Sequence, residues 1–278
     1  MVDDRGRAHS PETGRSRIVS LVPGITETLV AIGATGTLIA RTDYDTQGAL
    51  QSLPSVGGGL DPSLEFLVDL GPDLVIMWPD RGGAGSLSAR LEELGIDVYQ
   101  AEVEGMADFR RHARNAGVLT GRRFAADSLV DWVDSGLARV ASEVSSQPPS
   151  TLFYMVQQDP PMGAGPGTFL DSLMTVAGGR NVLSDAVGQW PLVSVEDVLW
   201  KDPNYIVVPV LELQARKSDD TVTQLAASPG WREVGAVREG RVFAVDAELF
   251  GRAGPRMAEA AEALARRLHP AVYEHRSR

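Results

Sequence analysis

Few residues of this chain have the type and spacing needed to make or break a covalent bond. There is no cysteine, so the chain offers no thiol for catalysis, disulfide pairing, metal ligation or lipid attachment. Its histidines are His9, His112, His269 and His275, and none follows a predicted strand in a loop. A transition-metal site or an axial ligand to haem or cobalt, which needs such groups to converge, is therefore not expected. Asp43 and Asp45 alternate on a polar loop, a spacing that suits a turn better than paired acid and base. Gly82-Gly83-Ala84-Gly85 approaches a phosphate loop but lacks its lysine, and neither a GxGxxG nor a GxSxG pattern occurs. Enzymatic chemistry is not expected.

The glutamates are more informative, because two of them open the same pattern. Glu65-Phe-Leu-Val-Asp-Leu-Gly-Pro72-Asp73-Leu-Val-Ile-Met77 is matched by Glu196-Asp-Val-Leu-Trp-Lys-Asp-Pro203-Asn204-Tyr-Ile-Val-Val208. Each reads as a short helix, a Pro-Asp/Asn turn and a buried β-branched strand. An α/β unit written twice predicts two similar lobes with a ligand cleft between them.

The elements that must position these residues follow the same plan in both halves. Ile18–Val22 and Thr151–Val156 read as strands, each leading through a Pro-containing loop to a helix that ends at glycine. Thr26 and Thr120 are candidate N-caps. The strands Thr37–Arg41 and Asp97–Gln100 complete the first half; Val242–Val245 and a closing helix Met257–Leu268 complete the second. Alternating strands and helices predict mostly parallel sheets flanked by helices. Between the halves, apolar Leu129, Val133, Leu137, Val140 and Val144 form one stripe of a long helix. The expected organisation is a disordered N-terminal arm over 1–16, an α/β lobe over 17–120, a single long backbone helix over 121–146 and a second α/β lobe over 150–278. At 278 residues, with a net charge of −11, the chain can hold two cores but has no basic face for nucleic acid. Met1–Arg17 has no apolar run of the kind an export signal carries, and no segment is apolar enough to span a membrane.

With Ile18-Val-Ser-Leu, Pro72-Asp-Leu-Val-Ile, Trp190-Pro-Leu-Val-Ser-Val-Glu196 and Arg252-Ala-Gly-Pro-Arg256 in this order, the chain resembles the helical-backbone substrate-binding proteins of ABC importers. The likeness is to the cobalamin-binding members above all, and also to the haem and iron-siderophore receptors. The resemblance implies capture of a large, metal-containing corrinoid or chelate, no cofactor of the protein's own, and delivery to a permease dimer with its ATPase subunits by a monomer. It implies that Glu65 and Glu196 dock on the permease, although a glutamate in a first helical turn also complements the helix dipole. It implies a periplasmic or extracellular address; a cytosolic corrinoid-binding protein is the alternative if no export signal precedes the arm. Ligands of open α/β sheets bind at the carboxyl ends of strands. That rule nominates Tyr44, Gly57, Gly58, Trp78, Arg81, Gln157, Asp159, Met162, Phe250 and Arg252. Trp78 and Phe250 would face the flat ligand. The pattern departs from cobalamin-binding relatives at Gly57, where an aromatic is usual, and in the polar loop Gln157-Gln158-Asp159.

Overall fold

A computed structural model of the chain describes residues 1–10, 14–80, 83, 85–210 and 222–274. They divide into two compact units, Met1–Val103 with Ala107–Trp132, and Glu104–Met106 with Val133–Arg278.

The N-terminal unit carries a four-stranded sheet, β1 (Ile18–Ser20), β2 (Leu38–Ala40), β3 (Leu74–Met77) and β4 (Asp97–Gln100), in the order β2-β1-β3-β4 with every pair parallel. β1 and β3 are buried along their whole lengths. Covered faces on both sides demand continuous apolar runs rather than alternation. Helix α1 (Pro23–Ala31) begins on a proline, whose missing N–H costs nothing at that position. Thr26, expected to cap it, lies within it and donates its hydroxyl to the Val22 carbonyl. Helices α2 (Leu64–Asp69), α3 (Leu87–Glu93) and α4 (Met106–Leu119) follow.

In the C-terminal unit, β5 (Ser150–Gln158) pairs with β8 (Tyr205–Val210), and β8 with β9 (Val242–Asp246), all parallel. Strand β7 (Gly179–Asn181) pairs parallel to the start of β5, and β6 (Pro161–Gly163) folds back antiparallel on its end. β7 thus takes the place of β2, β5 of β1, β8 of β3 and β9 of β4. Helices α6 (Phe169–Val176) and α7 (Val195–Lys201) and the closing α8 (Met257–Leu268) complete it.

The duplicated Pro-Asp/Asn turn has one structural task, done twice. Asp73 accepts the Ser16 and Arg17 amides through Oδ2 at 2.9 and 3.1 Å. Asn204 accepts the Thr151 amide and hydroxyl through Oδ1 at 2.8 and 2.9 Å. Each side chain pins the start of the neighbouring strand, one residue before the matched pairs Ile18–Leu74 and Leu152–Tyr205. The turn therefore sets the register of its sheet.

Helix α5 runs from Arg123 to Val144, and the boundary between the units falls inside it, after Trp132. Its buried face includes Ala126, Val130, Val133, Leu137, Val140 and Val144; Val130 rather than Leu129 occupies the stripe. Thr120 does not cap it, since its hydroxyl bonds back to the Ala116 carbonyl at 2.8 Å. Gly117 lies so near Ala126 that a Cβ there would stand 2.5 Å from the alanine methyl.

Residues 1–10 and 14–16 of the expected disordered arm instead make defined contacts with the N-terminal unit. Val2 bridges Ala8, and Asp3 and His9 are buried. β4 is an edge strand, and its outward backbone groups are met by the arm. The Gln100 amide donates to Asp3 and the Glu102 amide to Asp4, while the Asp4 amide donates to the Gln100 carbonyl. The arm's acidic residues satisfy an edge that would otherwise be open.

Candidate functional site

Because β1–β4 run parallel, their carboxyl ends share one edge of the sheet, and the loops leaving that edge bring several of the nominated residues together. After β2, the Thr42 amide and hydroxyl both donate to Asp45 Oδ2, at 2.7 and 2.8 Å, and the Tyr44 amide donates to the Thr42 hydroxyl at 3.2 Å. This tight loop holds out the Tyr44 ring, which is 58% exposed. The Asp43 amide donates to the Gly57 carbonyl at 3.0 Å. Ser55 completes the staple, donating to Asp43 at 2.5 Å and accepting from the Gly57 amide at 3.2 Å. Asp43 and Asp45 are thus structural, as their spacing suggested.

Gly57 has φ near +92°, a conformation open to glycine. Gly59 touches the end of β1: a Cβ there would stand 2.4 Å from the Leu21 carbonyl oxygen. The Gly57–Gly59 backbone therefore lies against the sheet edge beside Tyr44, where no side chain would fit at Gly59. Trp78 emerges directly after β3 and is half-buried. Two residues on, Asp80 accepts the Ser88 amide and hydroxyl at 2.9 and 3.0 Å, so the loop carrying the indole is anchored. Arg81 lies outside the described residues.

In the C-terminal unit Gln157, Asp159 and Met162 occupy the β5–β6 hairpin. Gln157 is exposed, but its amide donates to the carbonyls of Asp159 and Pro160, both at 3.1 Å, and so is spent on its own turn. Asp159 is exposed and Met162 half-buried. Phe250 departs from expectation. It is only 2% exposed, with its ring stacked on Tyr154 at 6.4 Å between centroids. The short helix Ala247–Phe250 turns that ring inward, making it a floor of the core rather than a wall for a ligand. Burial pushes the Tyr154 hydroxyl pKa upward, so the phenol stays neutral. Arg252 is half-buried on the loop that follows.

One cluster escaped the residue-by-residue reading. Met162 bridges Leu192, which is 64% exposed, and Val187, earlier in the same turn-rich segment, is 96% exposed. Trp190, between them in sequence, is half-buried, and its indole N–H donates to Glu104 at 3.0 Å. Gly165 admits this loop: a Cβ there would meet the Gly188 carbonyl at 2.4 Å. A usable signal was in the sequence, as apolar Val187, Trp190 and Leu192 are spaced along a Gly/Pro-flanked turn just before a capped helix.

Glu65 and Glu196 are both exposed at equivalent places in α2 and α7. Ser63 caps α2, accepting the Phe66 amide at 3.4 Å. Ser194 caps α7 within a full capping box with Asp197. The bonds from Ser194 hold the Asp197 carboxyl below its ordinary range.

Among the described residues no three His, Asp or Glu side chains gather as a metal site. His9, His112 and His269 are buried, and His275 lies outside the described residues. Nor is any described helix long and apolar enough to cross a membrane.

This duplicated parallel-sheet architecture joined by one long helix matches a known family. The model of the family "Periplasmic binding protein" matches residues 18–249, most of the chain. The chain belongs to that family. An uncharacterized ABC transporter substrate-binding lipoprotein of Bacillus subtilis is 27% identical over 266 residues, 93% of this chain and 81% of that protein. A vitamin B12-binding protein of Vibrio cholerae is 26% identical over 248 residues, 88% of this chain and 86% of that protein. The crystal structure of a periplasmic heme-binding protein from Pseudomonas aeruginosa superposes with a TM-score of 0.79 at 25% identity, covering 92% of this chain and 94% of that one. The chain is accordingly an ABC-transporter substrate-binding protein and not an enzyme, and the expectations of α/β class and family both hold.

Proposed function

We propose that this protein captures a corrinoid of the vitamin B12 type and delivers it to the permease and ATPase of an ABC importer. The observation that carries the ligand class is that Trp78, Tyr44 and the Gly57–Gly59 backbone all emerge along one edge of the same parallel sheet. A half-exposed indole and an exposed phenol offer apolar faces to a flat macrocycle. Glycine backbone beside them lets amide groups approach peripheral carboxamides. The Vibrio cholerae relative that binds vitamin B12 supports the same reading. Tyr44, Gly57, Gly58, Trp78, Asp159, Met162 and Arg252 are the contacts on this proposal, with Trp190 and Leu192 added to them. Phe250 acts beneath the site, not in it.

A second reading has its own support. Tyr44 is exposed, and a phenol can ligate ferric iron, so haem or a ferric siderophore is the alternative. The Pseudomonas heme-binding neighbour favours it.

The experiment mixes the protein with cyanocobalamin, removes free ligand on a desalting column and records the visible spectrum, with haem and a ferric siderophore in parallel. A corrin spectrum that travels with the protein and is lost in Trp78→Ala supports the proposal. Colour only with haem or siderophore moves the ligand to the second reading. No colour with any of them overturns both.

A further inference from the structure

The helices that carry Glu65 and Glu196 are built alike but present different chemistry. In α7, Leu199 and Trp200 follow Glu196 by three and four residues, which places all three on one helical face. Trp200 is 83% exposed and Leu199 42%. In α2 the matching positions are Val68 and Asp69. Val68 packs against the core of its unit, while Asp69 is exposed. One helix thus offers a carboxylate beside a bare indole, and the other offers two carboxylates with only partly or fully buried apolar side chains between them.

An 83% exposed tryptophan gains nothing from the fold it is part of, and its large apolar ring is the side-chain type that anchors interfaces. The helix that carries it is held rigid. Its start is closed by the Ser194–Asp197 capping box, and at its end Lys201 pairs with Asp185 at 2.8 Å. Rigidity at both ends lowers the cost of fixing the ring in a partner.

We propose that Trp200, flanked by Leu199 and Glu196, inserts into an apolar socket rimmed by an arginine or lysine on the importer's permease. The matching face at Glu65 and Asp69 engages basic groups alone. This rests on the proposed delivery to an ABC permease and on the docking role that the family resemblance implies for Glu65 and Glu196. The acidic groups on both faces, in a chain of net charge −11, select a basic partner surface and speed encounter with it. The indole contributes most of the binding energy at its own face, and the Glu65 face lacks such an anchor.

The test measures binding of the purified protein to the source organism's permease–ATPase complex in phosphatidylethanolamine/phosphatidylglycerol nanodiscs, by biolayer interferometry. Trp200→Ala is expected to weaken binding roughly thirtyfold and Asp69→Ala about threefold or less, as for a hot-spot anchor against a rim charge. Trp200→Phe should recover most of the loss. Thermal unfolding of Trp200→Ala should match wild type, since the ring is exposed. If Glu65→Ala and Glu196→Ala weaken binding while Trp200→Ala does not, the apolar anchor is overturned and the docking role stands. If wild type does not bind, or binds equally well without the glutamates, the docking role falls and takes this inference with it.

Discussion

Lowering the pH should loosen the N-terminal unit through one buried side chain, His112. It is 2% exposed, and its hydrogen bonds define its protonation state. The Asn115 amide donates to the Tyr99 hydroxyl at 2.7 Å, leaving that hydroxyl to donate to His112 Nδ1 at 2.8 Å. Nε2–H then donates to Asp4 Oδ2 at 2.8 Å. Every group in this chain is satisfied when the imidazole is neutral. A second proton on Nδ1 would displace the Tyr99 hydroxyl hydrogen, so burial dominates over the attraction of Asp4 and holds the His112 pKa below its ordinary 6.5. Burial likewise pushes the Tyr99 hydroxyl up to about 12.

The unfolded chain, with a pKa near 6.5, binds this proton more readily than the native state. Stability is therefore present above that pKa and is lost as pH falls through it. If the native imidazole stays neutral, going from about pH 7.5 to about pH 5 costs at most about 2 kcal/mol. That would move a urea midpoint by about 1 M for a slope near 2 kcal/mol per molar. Urea titrations of wild type and His112→Asn at both pH values isolate the effect, because asparagine does not titrate. Asp3, whose burial is outweighed by hydrogen bonds from His9 and from the amides of Arg7, Gln100 and Arg5, loses its contribution only below its ordinary 3.8, outside this window. Equal losses in wild type and variant would refute the reasoning.

Further substitutions probe the positioning of the candidate site and the register of the two sheets. Phe250→Ala should cost about 3–5 kcal/mol in urea unfolding while leaving affinity of the folded protein for the proposed corrinoid nearly unchanged; a drop in affinity at unchanged stability would return the ring to the ligand. Gly59→Ala places a methyl 2.4 Å from the Leu21 carbonyl, whereas at Gly58 it meets the carboxylate of Asp61, which can swing away. Chemical denaturation should therefore find the first variant destabilised and the second close to wild type, and equal tolerance would mean the loop does not rest on β1. Asn204→Ala removes two bonds to Thr151 and should cost about 1–2 kcal/mol. Because the same turn acts in both units, Asp73→Ala should cost a similar amount by chemical denaturation, and a neutral result would deny the pinning role.

Much of the architecture was legible in one dimension because it follows from periodicity. The duplicated Pro-Asp/Asn turn, the apolar runs of β1 and β3 and the closing helix Met257–Leu268 are local patterns whose meaning does not depend on what packs against them. The loops at strand ends were legible for the same reason, since a parallel strand predicts where its loop must emerge. Local pattern also predicted that Asp43 and Asp45 would build a turn. What tertiary structure alone decided was direction and pairing. Phe250 could line a pocket or fill a core by its type, and the turn Ala247–Phe250 against Tyr154 sends it inward. Met1–Arg17 is polar enough to be disordered, yet Asp3 and Asp4 find backbone donors at an open sheet edge some 97 and 98 positions away, at Gln100 and Glu102. Sequence records which side chains can bury apolar area or accept a proton; only the fold supplies the distant donors and neighbours that determine whether they do.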